Sequence, residues 1–357
     1  MRKKILIMAG GTGGHVFPGL AVARYLSNRE WEIRWLGTRE RMESRLVPEY
    51  GFDISYISVS GVRRNGILRK LYAPFMIIKA IWQANRIIRE YKPDVVLGMG
   101  GYASGPGGIA AWLNRIPVIL HEQNAAAGFT NRALSHFSSR ICMGFAGAFQ
   151  CENAVVVGNP VREEISAISD FPIETVEDGR PLRILVVGGS LGASFFNERF
   201  PGVFAKLDNV EIKHQTGRGN FESTRKRYEE LGVLPRVEVL EFISDMADAY
   251  IWADVIICRA GALTVAEVSA AHKPAIFVPL PTAVDDHQTK NAESLQSVGA
   301  AFILQQKNFN DEVLTELIVK LDKDRELLSD MARKSRDAAI LDATEKVAAI
   351  CEEAAEN

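Results

Sequence analysis

Lys4-Ile-Leu-Ile-Met-Ala-Gly-Gly11 and Arg183-Ile-Leu-Val-Val-Gly-Gly-Ser190 are two copies of one signal, a short unbroken apolar run closed by paired glycines. An apolar run without alternation suits a strand buried on both faces of a sheet. Glycine at its end lets the chain turn sharply into a helix. The same rhythm recurs at residues 95–97 before Gly98 and at 255–258 before Gly261. Strand, glycine turn and helical periodicity in succession describe a parallel sheet with crossover helices, so the expected class is α/β and doubly wound. Each copy of the signal opens a domain-sized stretch, and 357 residues exceed what one hydrophobic core usually serves. Two similar units in tandem are therefore expected rather than one long sheet.

Around this frame the chain is plain. Residues 166–181, with Pro172, Gly179 and Pro181, read as a linker, and 310–356 reads as amphipathic helix with Leu314, Leu317, Ile318 and Leu321 on one stripe. A formal charge of −2 gives no general attraction to nucleic acid. Cys142, Cys151, Cys258 and Cys351 show no paired spacing, which fits a reducing compartment better than a disulfide scaffold. The basic start Met1-Arg2-Lys3-Lys4 is followed by only five apolar residues before Gly10, so it is read as a first strand and not an export signal. No window reaches the roughly 20 apolar residues of a membrane-spanning helix.

The glycine turns are the candidate binding elements. In Gly10-Gly-Thr-Gly-Gly-His15 the missing Cβ atoms let backbone N–H groups approach a ligand at the start of a helix, where an anion or diphosphate is the natural guest. A tight turn of packing value only is the plainer alternative. The dinucleotide fingerprint fails because Val16 stands where its last small residue belongs, and a P-loop counted from Gly14 meets Leu20 in place of lysine. Further turns of this kind are Gly100-Gly-Tyr-Ala-Ser-Gly-Pro106, Gly188-Gly-Ser-Leu-Gly-Ala193 and the stretch after Arg259. There Thr264 and Glu267 have capping-box spacing, a purely structural reading. Doubly wound sheets bind at the carboxyl ends of their strands, which would bring these turns to one cleft. His121-Glu122 is not a zinc-protease motif, since Ala125 replaces the second histidine. Asp322-Lys323-Asp324 reads as a solvated helix face, so no metal is expected.

Taken in order with His121-Glu-Gln-Asn-Ala125, Gly158-Asn-Pro-Val-Arg162 and Ala262-Leu-Thr-Val-Ala-Glu267, these turns resemble a family of bacterial N-acetylglucosaminyltransferases. The resemblance covers nearly the whole chain. It implies the GT-B fold, two Rossmann-like domains facing a central cleft. Residues 1–161 would form the acceptor- and membrane-facing domain, 162–340 the UDP-GlcNAc domain, and 341–357 a terminal helix packing back on the first. The implied reaction carries GlcNAc from UDP-GlcNAc to the 4-hydroxyl of a polyprenyl-diphosphate-linked muramyl acceptor, lipid I, with inversion and no cofactor. Thr12, Gly13, Gly14 and Asn124 would line the donor side of the cleft. Arg162, Ser190, Ile243, Ala262, Leu263, Thr264, Val265, Ala266, Glu267 and Gln288 would hold UDP-GlcNAc from the second domain. In that set Ile243 backbone reads uracil, the amides of residues 262–264 take the phosphates and Glu267 takes the ribose hydroxyls. Where some relatives have paired glutamines this chain has His287-Gln288, so only Gln288 is carried over.

The reaction needs a base for the hydroxyl and dipolar stabilisation for the departing diphosphate. His15 leads as the base because imidazole titrates near neutrality beside a loop aimed at the cleft. It serves equally well as a binding group that moves no proton. His121, Glu122 and Tyr102 are the reserves. A UDP-GlcNAc epimerase would share fold and donor site, a nucleotide-dependent oxidoreductase would require the fingerprint that fails above, and a non-catalytic sugar-nucleotide sensor would share the donor loops. A lipid-linked acceptor implies a peripheral enzyme on the cytoplasmic face of the bacterial inner membrane, with other cell-wall synthesis proteins as further partners. Leu71, Phe75, Ile78 and Trp82, preceded by Arg69 and Lys70, are the expected contact with the anionic surface, with Trp112 joining it. A buried crossover helix is the plainer reading of the same stretch.

Overall fold

The computed structural model describes residues 2–59, 67–173, 179–189 and 192–356. It divides into two compact units, Met1–Arg162 with Ile340–Asn357, and Glu163–Ala339. In the first, β1 (Lys4–Ala9), α1 (Gly13–Ser27), β2 (Glu32–Gly37), α2 (Glu43–Glu49), β3 (Asp53–Tyr56), α3 (Ile67–Tyr91), β4 (Val95–Gly100), α4 (Ser104–Leu113), β5 (Val118–Glu122), α5 (Phe129–Leu134), β6 (Arg140–Met143) and β7 (Ala154–Val156) follow one another. The second opens with α6 (Glu163–Ser166) and continues through β8 (Leu182–Val187), α7 (Ser194–Phe204), β9 (Val210–Gln215), α8 (Phe221–Glu230), β10 (Val237–Leu240), α9 (Met246–Trp252), β11 (Val255–Cys258), α10 (Ala262–Ala270), β12 (Ala275–Phe277), α11 (His287–Gln296) and β13 (Ala301–Ile303). It closes with α12 (Asp311–Lys323) and α13 (Arg325–Asp337), and α14 (Ala343–Ala354) returns to the first unit.

Both sheets are parallel throughout. Their orders are β3-β2-β1-β4-β5-β6-β7 and β10-β9-β8-β11-β12-β13. Numbered within its own unit, each runs 3-2-1-4-5-6, and the first adds one edge strand. The internal repeat seen in the sequence is thus a repeat of topology. The order reverses between β1 and β4 and again between β8 and β11, and the crevice at such a switch point is where doubly wound sheets bind ligands.

The unbroken apolar strands are explained by cover on both faces. Ile5, Ile7 and Ala9 pack against Val16, Leu20 and Ala23 of α1 and Val347, Ala348 and Cys351 of α14. Leu6 and Met8 point the other way, to Ala80, Ala84 and Ile88 of α3 and Ala110 and Ala111 of α4. In the second unit Ile184 and Val186 meet Phe196, Phe200 and Phe204 of α7, with Leu314, Ile318 and Leu321 of α12 behind them. A strand sandwiched this way keeps no solvent face and so no polar alternation.

One sequence expectation changes in detail. The stretch expected as linker is structured in its first part: a 3₁₀ turn at Ala167–Asp170 follows α6, because Ile165 and Ile168 are buried. Lys323 and Asp324 are exposed, as read from the sequence, and both acids also have structural partners. Asp322 pairs with Arg325 at 2.6 Å and accepts the Asn209 amide at 3.0 Å, while Asp324 caps α13 through the Leu327 N–H at 2.9 Å. All four cysteines are free thiols, and Cys142, Cys258 and Cys351 are buried. No helix among the described residues is long and apolar enough to cross a membrane.

Candidate active site

In the first unit the carboxyl edge is built by side chains that tie down strand ends. Trp35 donates its indole N–H to the Ala9 carbonyl at 2.8 Å, Ser104 donates to the Met8 carbonyl at 2.7 Å, and Gln123 donates to the Met99 carbonyl at 2.8 Å. Buried carbonyls at strand ends need such partners. The strand ends that lead into the turns after β1 and β4 are thus tied down. Thr12 takes the cap position of α1 with extended backbone but makes no side-chain cap, and its hydroxyl lies 3.3 Å from His15 Nδ1. The adjacent turn after β4 presses against it. Gly100 and Gly101 have φ of 97° and 87°. A Cβ at Gly101 would collide with the Gly10 carbonyl, and one at Gly100 would lie 2.9 Å from His15 Nε2. Only glycine allows the two turns to touch.

Beneath this turn sits a residue with no signature in the sequence. Glu43, at the start of α2, is fully buried. One carboxylate oxygen accepts the Gly11 N–H at 3.0 Å, and the other accepts the Thr38 N–H at 3.0 Å and the Thr38 hydroxyl at 2.7 Å.

At the end of β5, His121 is fully buried and its Nε2 is 2.9 Å from the Gly158 carbonyl. Burial lowers its pKa from 6.5 to about 4, with the Gly158 and Glu122 interactions opposing and His15 adding slightly to the fall. At neutral pH it is an uncharged, hydrogen-bonded core histidine. Glu122 is also buried, and each oxygen takes two donors: Asn124 N–H at 3.1 Å and Nδ2 at 3.2 Å on one, Gly128 N–H at 2.9 Å and Asn131 Nδ2 at 2.9 Å on the other. Four donors fill a carboxylate's acceptor capacity, an arrangement that orders the loop at residues 123–128 and leaves little to receive a proton. Tyr102 is exposed, with the Arg41 guanidinium 5.7 Å from its ring centre.

The second unit presents a different edge. The turn after β8 ends at Gly192, whose φ of 71° and closeness to the Thr216 carbonyl exclude a side chain. Asn197 donates to that same carbonyl at 2.9 Å. Ser190 lies outside the described residues. On the neighbouring strand β11, Gly261 occupies the cap position of α10, which starts at Ala262 with no side-chain cap and no acid in its first turn. The capping box suggested by Thr264 and Glu267 is therefore not formed. Thr264 is the third helical residue, because Arg259 and Ala260 use up the turn and leave the cap to glycine. An uncapped helix start of this kind offers several N–H donors and the positive end of the helix dipole. Glu267 instead accepts the buried Tyr250 hydroxyl at 3.1 Å.

Arg259 anchors the β11 turn by donating to the Val278 carbonyl at 2.9 Å, and its guanidinium stacks 4.6 Å from the Phe196 ring centre. Burial brings its pKa down to about 10, so it stays cationic at neutral pH. Asn291 holds the Ala260 carbonyl at 3.1 Å, and Gln288 accepts the Leu280 N–H at 2.9 Å. Asp285 and Asp286, just before α11, both have positive φ, at 53° and 52°. Aspartate tolerates that region better than most residues.

Of the residues singled out in the sequence, Thr12, Gly13, Gly14, His15, Tyr102, Glu122 and Asn124 gather on the carboxyl edge of β1, β4 and β5. Ile243, Ala262, Leu263, Thr264, Val265, Ala266, Glu267 and Gln288 follow β10, β11 and β12. Arg162 ends the first unit, whereas the sequence reading opened the second with it. Glu43, Asn131, Arg259 and Asn291 were missed. Arg259 was legible as a lone cation at a strand end, while the other three carry no local signal. Among the described residues no cluster of three or more His, Cys, Asp or Glu is arranged to hold a metal ion.

Comparison with known proteins places these units. Residues 5–143 match the glycosyltransferase family 28 N-terminal domain and residues 183–350 the family 28 C-terminal domain. The chain is 56% identical over 98% of its length, and 99% of the relative's, to the UDP-N-acetylglucosamine--N-acetylmuramyl-(pentapeptide) pyrophosphoryl-undecaprenol N-acetylglucosamine transferase of Tolumonas auensis. It is 54% identical to the protein of the same name from Shewanella violacea, covering 99% of this chain and 98% of the relative. The crystal structure of Acinetobacter baumannii MurG superposes with a TM-score of 0.84 at 44% identity, covering 98% of this chain and 99% of that one. With both domain models matched in order on two Rossmann-like units, the chain belongs to glycosyltransferase family 28.

Proposed function

We propose that this chain transfers N-acetylglucosamine from UDP-GlcNAc to the 4-hydroxyl of the muramyl sugar in undecaprenyl-pyrophosphoryl-MurNAc-pentapeptide, with inversion, converting lipid I to lipid II in peptidoglycan synthesis. The observation that carries this reading is full-length identity above half to relatives named for that reaction. The two carboxyl edges supply what it requires.

The acceptor hydroxyl gives its proton to His15 as its oxygen bonds to the anomeric carbon, and UDP leaves with the electrons of the broken bond. The Thr12 hydroxyl beside Nδ1 fixes the ring. With Nδ1–H donating to it, Nε2 carries the lone pair that takes the proton. Glu122, with its acceptors filled, shapes the loop that presents Asn124 rather than moving a proton. Tyr102 remains a polar group on the acceptor side. In the second unit the first-turn amides of α10 and its dipole neutralise the diphosphate, with Ser190 adding a polar contact. Ile243 backbone takes the uracil, Glu267 the ribose hydroxyls and Gln288 the sugar.

Membrane docking draws on the outer face of α3. Ala80, Ala84 and Ile88 are buried, while Phe75, Ile78 and Trp82 are 71%, 64% and 63% exposed. Trp112 on α4 is also exposed, its ring centre 4.9 Å from that of Phe137 with the rings tilted by 56°. An exposed apolar cluster of this kind marks an interaction surface, and a lipid-linked acceptor makes the bilayer its partner, on the cytoplasmic side. The side chains of Arg69, Lys70 and Leu71 lie outside the described residues. The test is incubation with labelled UDP-GlcNAc and a lipid I analogue. Label should appear in the acceptor as UDP is released; label confined to the donor pool would reject the transfer.

A further inference from the structure

Burying a carboxylate is costly unless hydrogen bonds replace its hydration, and stability alone is usually as well served by an apolar residue. Glu43 therefore needs a reason. Its three donors join two places that are distant in sequence: Thr38 at the end of β2, and Gly11 in the turn that starts α1. The backbone is cut to fit it. A Cβ at Gly10 would lie 2.5 Å from Glu43 Oε1, and one at Gly37 would lie 2.7 Å from Glu43 Cγ. Gly11 itself has a φ of 97°, a conformation that needs holding. From Gly11 the chain passes through Thr12 to His15, whose ring is flanked by the Thr12 hydroxyl and by Gly100. The carboxylate is thus the inner clamp of the turn and the β4 glycines are the outer one.

We propose that Glu43 is a positioning residue for His15: by holding the Gly11 amide it fixes the turn between β1 and α1 and so the direction in which the imidazole is presented. This rests on the reading above that His15 takes the acceptor's proton. Glu43 touches no substrate and acts only through the turn.

The experiment is a double-mutant cycle in the full chain. It uses Glu43→Gln, Thr38→Val, His15→Ala and Glu43→Gln combined with His15→Ala, each assayed for kcat, for donor and acceptor KM and for thermal midpoint. Glutamine keeps the shape but, whichever way its amide is set, turns an N–H₂ group towards the N–H of Gly11 or of Thr38, so the clamp loses one of its two ends. A displaced catalytic group lowers kcat by about 10- to 100-fold. Donor KM should stay within about threefold, because uniform binding is untouched. Thr38→Val keeps the carboxylate and loses one anchor, so it should lower kcat less and in the same direction. In the His15→Ala background Glu43→Gln should cost little more, since coupled residues are not additive. Equal fold losses in both backgrounds would overturn the role, as would a fall in thermal midpoint with kcat intact, or an effect confined to donor KM. Near-normal kcat in His15→Ala would remove the residue Glu43 is said to position. An inactive unsubstituted chain would sink the transfer reading itself, and this role with it.

Discussion

The helix starts after β1 and after β11 both flank the switch point of a sheet of the same order, one after the first strand and the other after the fourth, and they are finished differently. After β1, the Gly11 amide is spent on an internal carboxylate, and the first turn of α1 carries a histidine locked between a hydroxyl and a glycine. After β11, the first turn of α10 has neither a side-chain cap nor an acid. Both inherit the positive end of a helix dipole. One frames a titratable side chain, and the other carries no side-chain cap on its first-turn amides. Equal strand order therefore does not mean equally finished turns, and the proposed division between a proton-handling unit and a diphosphate-holding unit would rest on a few side chains placed behind each turn.

Removing the titratable group should do the most damage to this contrast. His15→Ala is expected to lower kcat by about two orders of magnitude or more if the histidine moves the proton, with donor KM nearly unchanged. A change confined to donor affinity would make the first turn a binding loop like the second, and the contrast would be lost.

Acid should next separate the units. His121 in the first and His214 in the second are fully buried and held neutral, their pKa values lowered by burial from 6.5 to about 4 and about 3. His214 is hydrogen-bonded to the Tyr228 hydroxyl at 2.7 Å. Above pH 6.5 neither state binds the proton and the stability is complete. As pH falls the unfolded chain takes protons the folded units refuse, so stability drains away down to about pH 4 for His121 and about pH 3 for His214. Between pH 7 and 5 each histidine should cost its unit about 2 kcal/mol. Denaturant titrations at the two pH values measure this, and His214→Asn should flatten the dependence in the second unit alone. A pH-independent midpoint in the parent chain would mean the rings are hydrated.

On the donor side, Glu267→Ala should raise donor KM by about tenfold or more, the usual worth of hydrogen bonds to a charged group. It should leave kcat at saturating donor close to the parent value. A kcat defect with unchanged KM would move catalytic work into the second unit. The smallest effect is expected outside both turns. Phe75→Ser should weaken binding to anionic vesicles by about fivefold, roughly 1 kcal/mol for a partly inserted ring, with transfer to a soluble acceptor unaltered. Unchanged sedimentation with vesicles would release α3 from the membrane role.

Much of this was legible in advance because it is local. Continuous apolar runs such as 5–9 and 184–187 can only be strands covered on both faces, and glycines following them can only be turns. The repeat of that signal fixed two units, and the order of the glycine turns pointed to the family. Short-range patterns misled where one residue decided the outcome. Thr264 has the spacing of a cap but sits inside the helix, because Gly261 reaches the cap position first.

By itself, then, the sequence determined the α/β class, the doubling and the glycine turns, all encoded in residues within a few positions of one another. Tertiary structure decided which turn amides are used and which are left open, that Glu122 orders a loop, and that Glu43 grips Gly11 across 32 positions of chain. Hydrogen bonds to buried groups act over about 3 Å, and no pattern along a chain specifies which distant donors will be brought that near.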